Sequence, residues 1–98
     1  MAEVRFLGEI RKAAGTARFG VDAGTVEELL EQLRRVMGQA FQDLVFQEGN
    51  LHQDIEILVN GRNIASLEGL KTPLSPFDQV TLFFITGSGG SPTGSVLT

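Results

Sequence analysis

The chain has no cysteine, tryptophan or tyrosine, a single histidine and three prolines in 98 residues. Without cysteine it has no disulfides, thiolate metal ligands or nucleophilic thiol, which removes several enzyme classes at once. His52 has no second histidine to complete a zinc set, and it is expected to be a solvated loop residue. No Gly-rich loop joins a strand to a helix, and no acids stand at metal-ligand spacing. No catalytic constellation is recognisable, so the chain is expected to be no enzyme and to bind no metal or cofactor itself. No apolar run approaches a membrane span, and Met1-Ala2-Glu3-Val4-Arg5 lacks the basic-then-apolar layout of a signal peptide. A soluble, cytoplasmic protein with no membrane partner is expected. Charge is not concentrated either: the eight basic residues are scattered among twelve acidic ones for a net −4, which argues against a nucleic-acid partner.

What is present suits one modest core, since 98 residues with 42% hydrophobic content make a single domain. Val4 to Leu7 reads as a first strand closed by Gly8, and Glu9 to Ala14 as a short helical turn ended by Gly15-Thr16. Ala17 to Val21 reads as a second strand, with Phe19 and Val21 on one face and Arg18 on the other. A connection this short makes the two strands antiparallel. The clearest helix starts at Thr25, whose side chain caps it while Glu28 reaches back to the cap amide. Val26, Leu29, Leu30, Leu33 and Met37 form one apolar stripe, Glu27, Glu28 and Glu31 precede Arg34 and Arg35 as the helix dipole favours, and Gly38 is the expected stop.

Gln39 to Val45 suggests another short helix burying Phe41, Leu44 and Val45, ahead of a turn at Glu48-Gly49-Asn50. Asp54 to Val59 is a strand with Ile55, Ile57 and Val59 on one face, and Asn60-Gly61 is a strong hairpin signal leading into a short strand, Arg62 to Ala65. Ser66 to Phe77 is irregular, punctuated by Gly69, Pro73 and Pro76, with Leu67, Leu70 and Leu74 available to cap the core. Val80 to Ile85 is the last strand, expected in the centre of the sheet beside the first. The composition then shifts: Thr86 to Thr98 is mostly Gly, Ser, Thr and Pro, with too little apolar surface to bury. The expected organisation is a domain over 1–85, a tail over 86–90 ending in Gly89-Gly90, and a disordered extension over 91–98. One main helix packed on a small mixed sheet makes the domain α+β, a β-grasp or ubiquitin-like fold.

Val4-Arg5-Phe6-Leu7, the Thr25 helix, Val59-Asn60-Gly61-Arg62, Asp78-Gln79-Val80-Thr81-Leu82-Phe83 and Gly89-Gly90 together resemble the small sulfur-carrier proteins related to the molybdopterin synthase small subunit and the thiamine-pathway sulfur carrier. The resemblance covers residues 3–90 in order and spacing. It implies a protein that is a substrate: the carboxylate of Gly90, preceded by Gly89, is adenylated with ATP by an enzyme of the ubiquitin-activating type. A sulfur donor then converts the adenylate to a thiocarboxylate, which serves an acceptor synthase subunit. The physical logic is sound, since glycines place no side chain in a narrow channel and tolerate the backbone angles it imposes. An internal glycine carbonyl is an amide, so Gly90 reacts only once the bond to Ser91 is cut. A Gly-Gly-specific peptidase is the implied processing partner. Two other readings stay open: a ubiquitin-like modifier joined through Gly90 to lysines, and a β-grasp binding module with an inert tail.

Strand parity adds a docking surface. If Val80, Leu82 and Phe84 face the helix, Thr81, Phe83 and Ile85 face away, as does Leu7 on the first strand. Leu7, Leu58, Phe83 and Ile85 are then expected to form an exposed apolar patch beside the tail, suited to the activating enzyme or the acceptor subunit.

Overall fold

Glu3 and Arg5 alternate with Val4 and Phe6, and this period of two builds the first strand of the computed structural model, which describes residues 1–85. The strand, β1, covers Ala2–Phe6, because Leu7 already stands at the N-terminus of a helix, α1 (Gly8–Ala14). β2 (Arg18–Val21) returns antiparallel to β1, as the short connection implied. The long helix α2 (Val26–Val36) buries Val26, Leu29, Leu30 and Leu33, and Met37 packs against the same cluster. Thr25 Oγ1 accepts from the Glu28 amide at 3.2 Å, as the Thr-x-x-Glu spacing required. The return bond falls one residue earlier than expected: Glu28 Oε1 accepts from the amide of Gly24, not of Thr25, at 2.9 Å. Gly38 is not the helix stop. Met37 is already extended, and Gly38, at φ −72°, begins α3 (Gln39–Val45).

A hairpin that the sequence pattern did not disclose follows, β3 (Phe46–Gln47) and β4 (Asn50–Leu51). Glu48 and Gly49 turn it with φ of 50° and 85°, the left-handed pair a tight hairpin needs. The Arg34 guanidinium lies 4.6 Å from the Phe46 ring centre and donates to the Gly49 carbonyl, which straps the hairpin to α2. β5 (Ile55–Val59) turns through Asn60-Gly61, at φ 52° and 84°, into β6. β6 is only Arg62–Asn63, shorter than expected, because the Asn63 side chain accepts from the Ala65 amide and winds Ile64–Ser66 into a 3-10 turn. A second such turn, Gly69–Lys71, leads to the last strand, β7 (Gln79–Phe84).

The five-stranded sheet has the order β2-β1-β7-β5-β6. β7 is central, parallel to β1 (Val4 beside Val80, Phe6 beside Leu82) and antiparallel to β5 (Ile57 beside Leu82, Val59 beside Val80). This mixed sheet with a helix across one face is the β-grasp architecture. Its inner face supplies Val4, Phe6, Val21, Ile55, Ile57, Val59, Val80 and Leu82 to one core with α2, Ile10 and Phe41. Leu67 and Leu74 pack against that core, whereas Leu70 is exposed and does not cap it. Among the described residues no helix is long and apolar enough to cross a membrane.

Candidate functional site

Among the described residues all three α-helices bury their apolar side chains on the inner face, leaving the outer face without a helix, and pairing register fixes who stands beside whom. Arg18, Arg5, Thr81, Leu58 and Asn63 form one row across the strands, while Phe83 pairs with Glu56 in the next. Leu58 and Phe83 are therefore diagonal neighbours on adjacent strands, within reach of one another. Both are half-buried, shallower as a patch than four fully exposed residues would be. Leu7 and Ile85 are 49% and 52% exposed. They sit just past the ends of β1 and β7, with the Leu7 amide bonded to the Leu82 carbonyl at 3.2 Å. The structure thus places Leu7, Phe83 and Ile85 at the end of the sheet from which the chain continues toward Gly90, whereas Leu58, expected beside them, lies opposite Thr81 in the other half of β7, because β5 runs antiparallel to it.

Polar groups frame this strip on both sides. Toward β2, Glu3 receives Arg5 Nε at 3.4 Å, Arg18 at 3.9 Å and Gln79 Nε2 at 3.3 Å. Toward β6, Asn63 donates to the Glu56 carboxylate. An apolar centre inside a satisfied polar rim is how transient interfaces are built.

Two residues at the root of the tail were not found from sequence. The Ile85 amide donates to the Asp54 carbonyl at 2.9 Å, so the chain leaves the sheet tied to β5. His52 is half-buried and structural, which corrects the solvated-loop expectation. Its Nδ1 accepts from the Asp54 amide at 3.0 Å, and its ring lies edge-on to Phe84 at 5.2 Å. Nothing in the residue pattern signals this contact, because it exists only once β5 pairs with β7. Phe84 consequently meets His52 as well as the core, which makes it a boundary residue.

The opposite end of β7 is clasped. Asp78 accepts from the Ser75 amide at 2.8 Å and from Asn60 Nδ2 at 2.9 Å, and Asn60 in turn accepts from the Gln79 amide at 2.9 Å. The Ser75 amide first, and then the Asn60 side chain, hold the Asp78 carboxyl below its ordinary value. Phe77 beside it is 95% exposed.

Gly89, Gly90 and Ser91, the expected reactive and processing positions, lie outside the described residues, as do the expected segments 86–90 and 91–98. Among the described residues no group of three or more His, Asp or Glu side chains is placed to hold a metal ion.

Known proteins resemble this chain in both sequence and fold. A candidate sulfur carrier protein of Archaeoglobus fulgidus is 34% identical over 58 residues, which is 59% of this chain and 66%, just under two thirds, of that protein. The solution structure of small archaeal modifier protein 1 from Methanosarcina acetivorans superposes with a TM-score of 0.78 at 30% identity, over 85% of this chain and 90% of that one. The crystal structure of small archaeal modifier protein 1 from Haloferax volcanii gives 0.71 at 26%, over 96% and 98%. The ThiS family model matches residues 4–90, and the chain belongs to that family of small sulfur-carrier and ubiquitin-like proteins.

Proposed function

We propose that the chain is a sulfur carrier that works after residues 91–98 are removed. One observation carries this reading above the others: the family match runs through the whole domain and ends on Gly90, the second glycine of the pair. A peptidase specific for Gly-Gly junctions frees the Gly90 carboxylate. That carboxylate attacks the α-phosphate of ATP on an activating enzyme, displacing pyrophosphate and leaving a glycyl adenylate. Hydrosulfide released by a sulfur donor then attacks the acyl carbon; the C–S bond forms, the C–O bond breaks as AMP leaves with the electron pair, and loss of the thioacid proton gives a thiocarboxylate. The thiocarboxylate serves an acceptor synthase subunit in molybdopterin synthesis or a related sulfur-transfer pathway.

In this reading the outer-face strip of Leu7, Leu58, Phe83 and Ile85 docks the activating enzyme and then the acceptor. From Ile85 to Gly90 is five residues, an extended span of at most roughly 17 Å, enough to enter a partner's channel while the strip stays seated. The β-grasp domain does no chemistry itself; it sets the address and holds the arm at a defined origin.

The test is intact mass after incubation with cell extract, ATP and a sulfur source. Loss of residues 91–98 together with one oxygen-to-sulfur exchange is expected, and an unchanged full-length mass overturns the proposal. The similarity to small archaeal modifier protein 1 favours a second reading, conjugation of Gly90 to lysines of other proteins, and covalent adducts in the same incubation would identify it.

A further inference from the structure

The Asn60-Gly61 pair turns the β5–β6 hairpin, and it also carries a chemistry of its own. An asparagine followed by glycine is open to attack from within the chain. The next backbone nitrogen closes a five-membered ring on the side-chain carbonyl carbon, and glycine sets no side chain in its path. The chain has three asparagines, and the other two, Asn50 and Asn63, precede Leu51 and Ile64, whose branched side chains obstruct that approach. Asn60 and Gly61 are both exposed, so water and hydroxide reach them. Beyond its chain neighbours, nothing lies within 4 Å of where a Gly61 Cβ would stand.

The fold restrains this reaction at both ends of the Asn60 side chain. Nδ2 donates to Asp78 Oδ1 at 2.9 Å, and Oδ1 accepts from the Gln79 amide at 2.9 Å. The Asn60 backbone amide adds a bond to the Gln79 carbonyl at 2.7 Å. Asp78 is itself fixed, since its Oδ2 accepts from the Ser75 amide at 2.8 Å and its own amide donates to the Ser75 carbonyl at 3.1 Å. The carboxamide is thus drawn toward β7 while Gly61 continues along the turn. For the Gly61 nitrogen to meet Asn60 Cγ, the side chain must leave both partners and the backbone must turn out of its left-handed conformation at φ 52°.

We infer that Asn60 is a gated deamidation site: the Asp78 clasp keeps its carboxamide from the Gly61 nitrogen, and local opening of the clasp lets position 60 become aspartyl or isoaspartyl. The inference is independent of the chemistry proposed for Gly90. In the step hydroxide takes the Gly61 amide proton, the nitrogen attacks Asn60 Cγ and the C–N bond forms. The Cγ–Nδ2 bond breaks, ammonia departs with the electron pair and a proton from water, and hydroxide is regenerated. A succinimide remains. Water then adds to one of its two carbonyls and the C–N bond there breaks, which leaves an aspartyl residue or an isoaspartyl residue whose main chain runs through the former side chain. Neither product restores the clasp, because the donor to Asp78 is gone and a second carboxylate faces the first. The change falls on the β5–β6 turn and the start of β7, outside the buried core.

The test holds the full-length chain in mildly alkaline buffer and digests samples at intervals, with chromatography that separates aspartyl from isoaspartyl peptides. The amide-to-acid mass shift is expected at Asn60, ahead of Asn50 and Asn63. In guanidinium chloride, where the clasp is absent, Asn60 should convert at least roughly tenfold faster than in the folded chain, because no hydrogen bond then holds the carboxamide. Asp78→Ala should accelerate conversion in the folded chain roughly tenfold, about the worth of a hydrogen bond to a charged group. Asp78→Asn, which keeps an acceptor but no charge, should fall between this variant and the parent. Ile57→Val weakens the core without touching the clasp and should convert at the parent rate, which separates local opening from general loss of stability. In the isolated product the Ser75 and Gln79 amides should exchange with solvent faster than in the parent. Equal rates in folded and unfolded chain overturn the inference, as do Asp78 variants that convert at the parent rate, Ile57→Val accelerated as much as they are, or earlier conversion at Asn50 or Asn63.

Discussion

The two faces of the five-stranded sheet come from the same strands and differ in what they meet. On the inner face Val4, Phe6, Ile57, Val80 and Leu82 are buried against α2, and the polar side chains of β1, β5 and β7 have been turned away. On the outer face Leu58 and Phe83 share their surroundings with Glu3, Arg5, Arg18, Glu56 and Thr81. On the proposed docking role of the outer face, stability and recognition would be separable at single-residue resolution along β7, because alternate residues of one strand serve different neighbours.

Leu82→Ala should produce the largest stability change, since it empties a fully buried site between β1 and β5. A loss of about 3 kcal/mol is expected from the cavity and the lost transfer energy, read as a lowered urea midpoint with an unchanged slope. Its neighbour Phe83→Ala should do the reverse. The midpoint should move little, while thiocarboxylate formation at limiting chain should fall roughly tenfold, as when a half-buried aromatic anchor leaves an interface. Equal effects of the two substitutions on stability would erase the distinction between the faces.

A smaller effect sharpens the contrast between the two ends of β7. The Asp78 carboxyl is held below its ordinary value, so its folded pKa lies under its unfolded one. Its contribution is therefore complete above the unfolded value of roughly 3.9 and is lost as pH falls through the folded value. Asp78→Asn should lower the urea midpoint modestly at neutral pH, and the gap from the parent should close in more acidic solution. A gap that stays constant with pH would show that the clasp does not depend on the charge.

Much of this molecule was legible locally. The Thr25 helix announced itself because a cap, an apolar stripe and ordered charges all act within a few turns, and Asn60-Gly61 marked its hairpin because left-handed φ values are a property of those two residues. The β3–β4 hairpin was not legible, since two-residue strands are too short for a period and Glu48 is an unusual residue at positive φ. Phe46 holds there because Arg34 stacks on it from α2. The patch was legible as parity but not as depth: that Leu58 and Phe83 are half-covered depends on neighbours across three strands.

By itself, the sequence determined the longer elements, the facing of alternate residues and the Gly89-Gly90 pair, because capping, periodicity and turn chemistry are short-range. Only the tertiary structure decided which end of the sheet is which. Parallel pairing of β1 with β7 brings Leu7 and the start of α1 to the end where β7 finishes, and pairing of β5 with β7 brings His52 and Asp54 there. Those neighbours are separated by about thirty to nearly eighty residues of chain, and the hydrogen bonds that join them form only when burial of one common core drives the strands together.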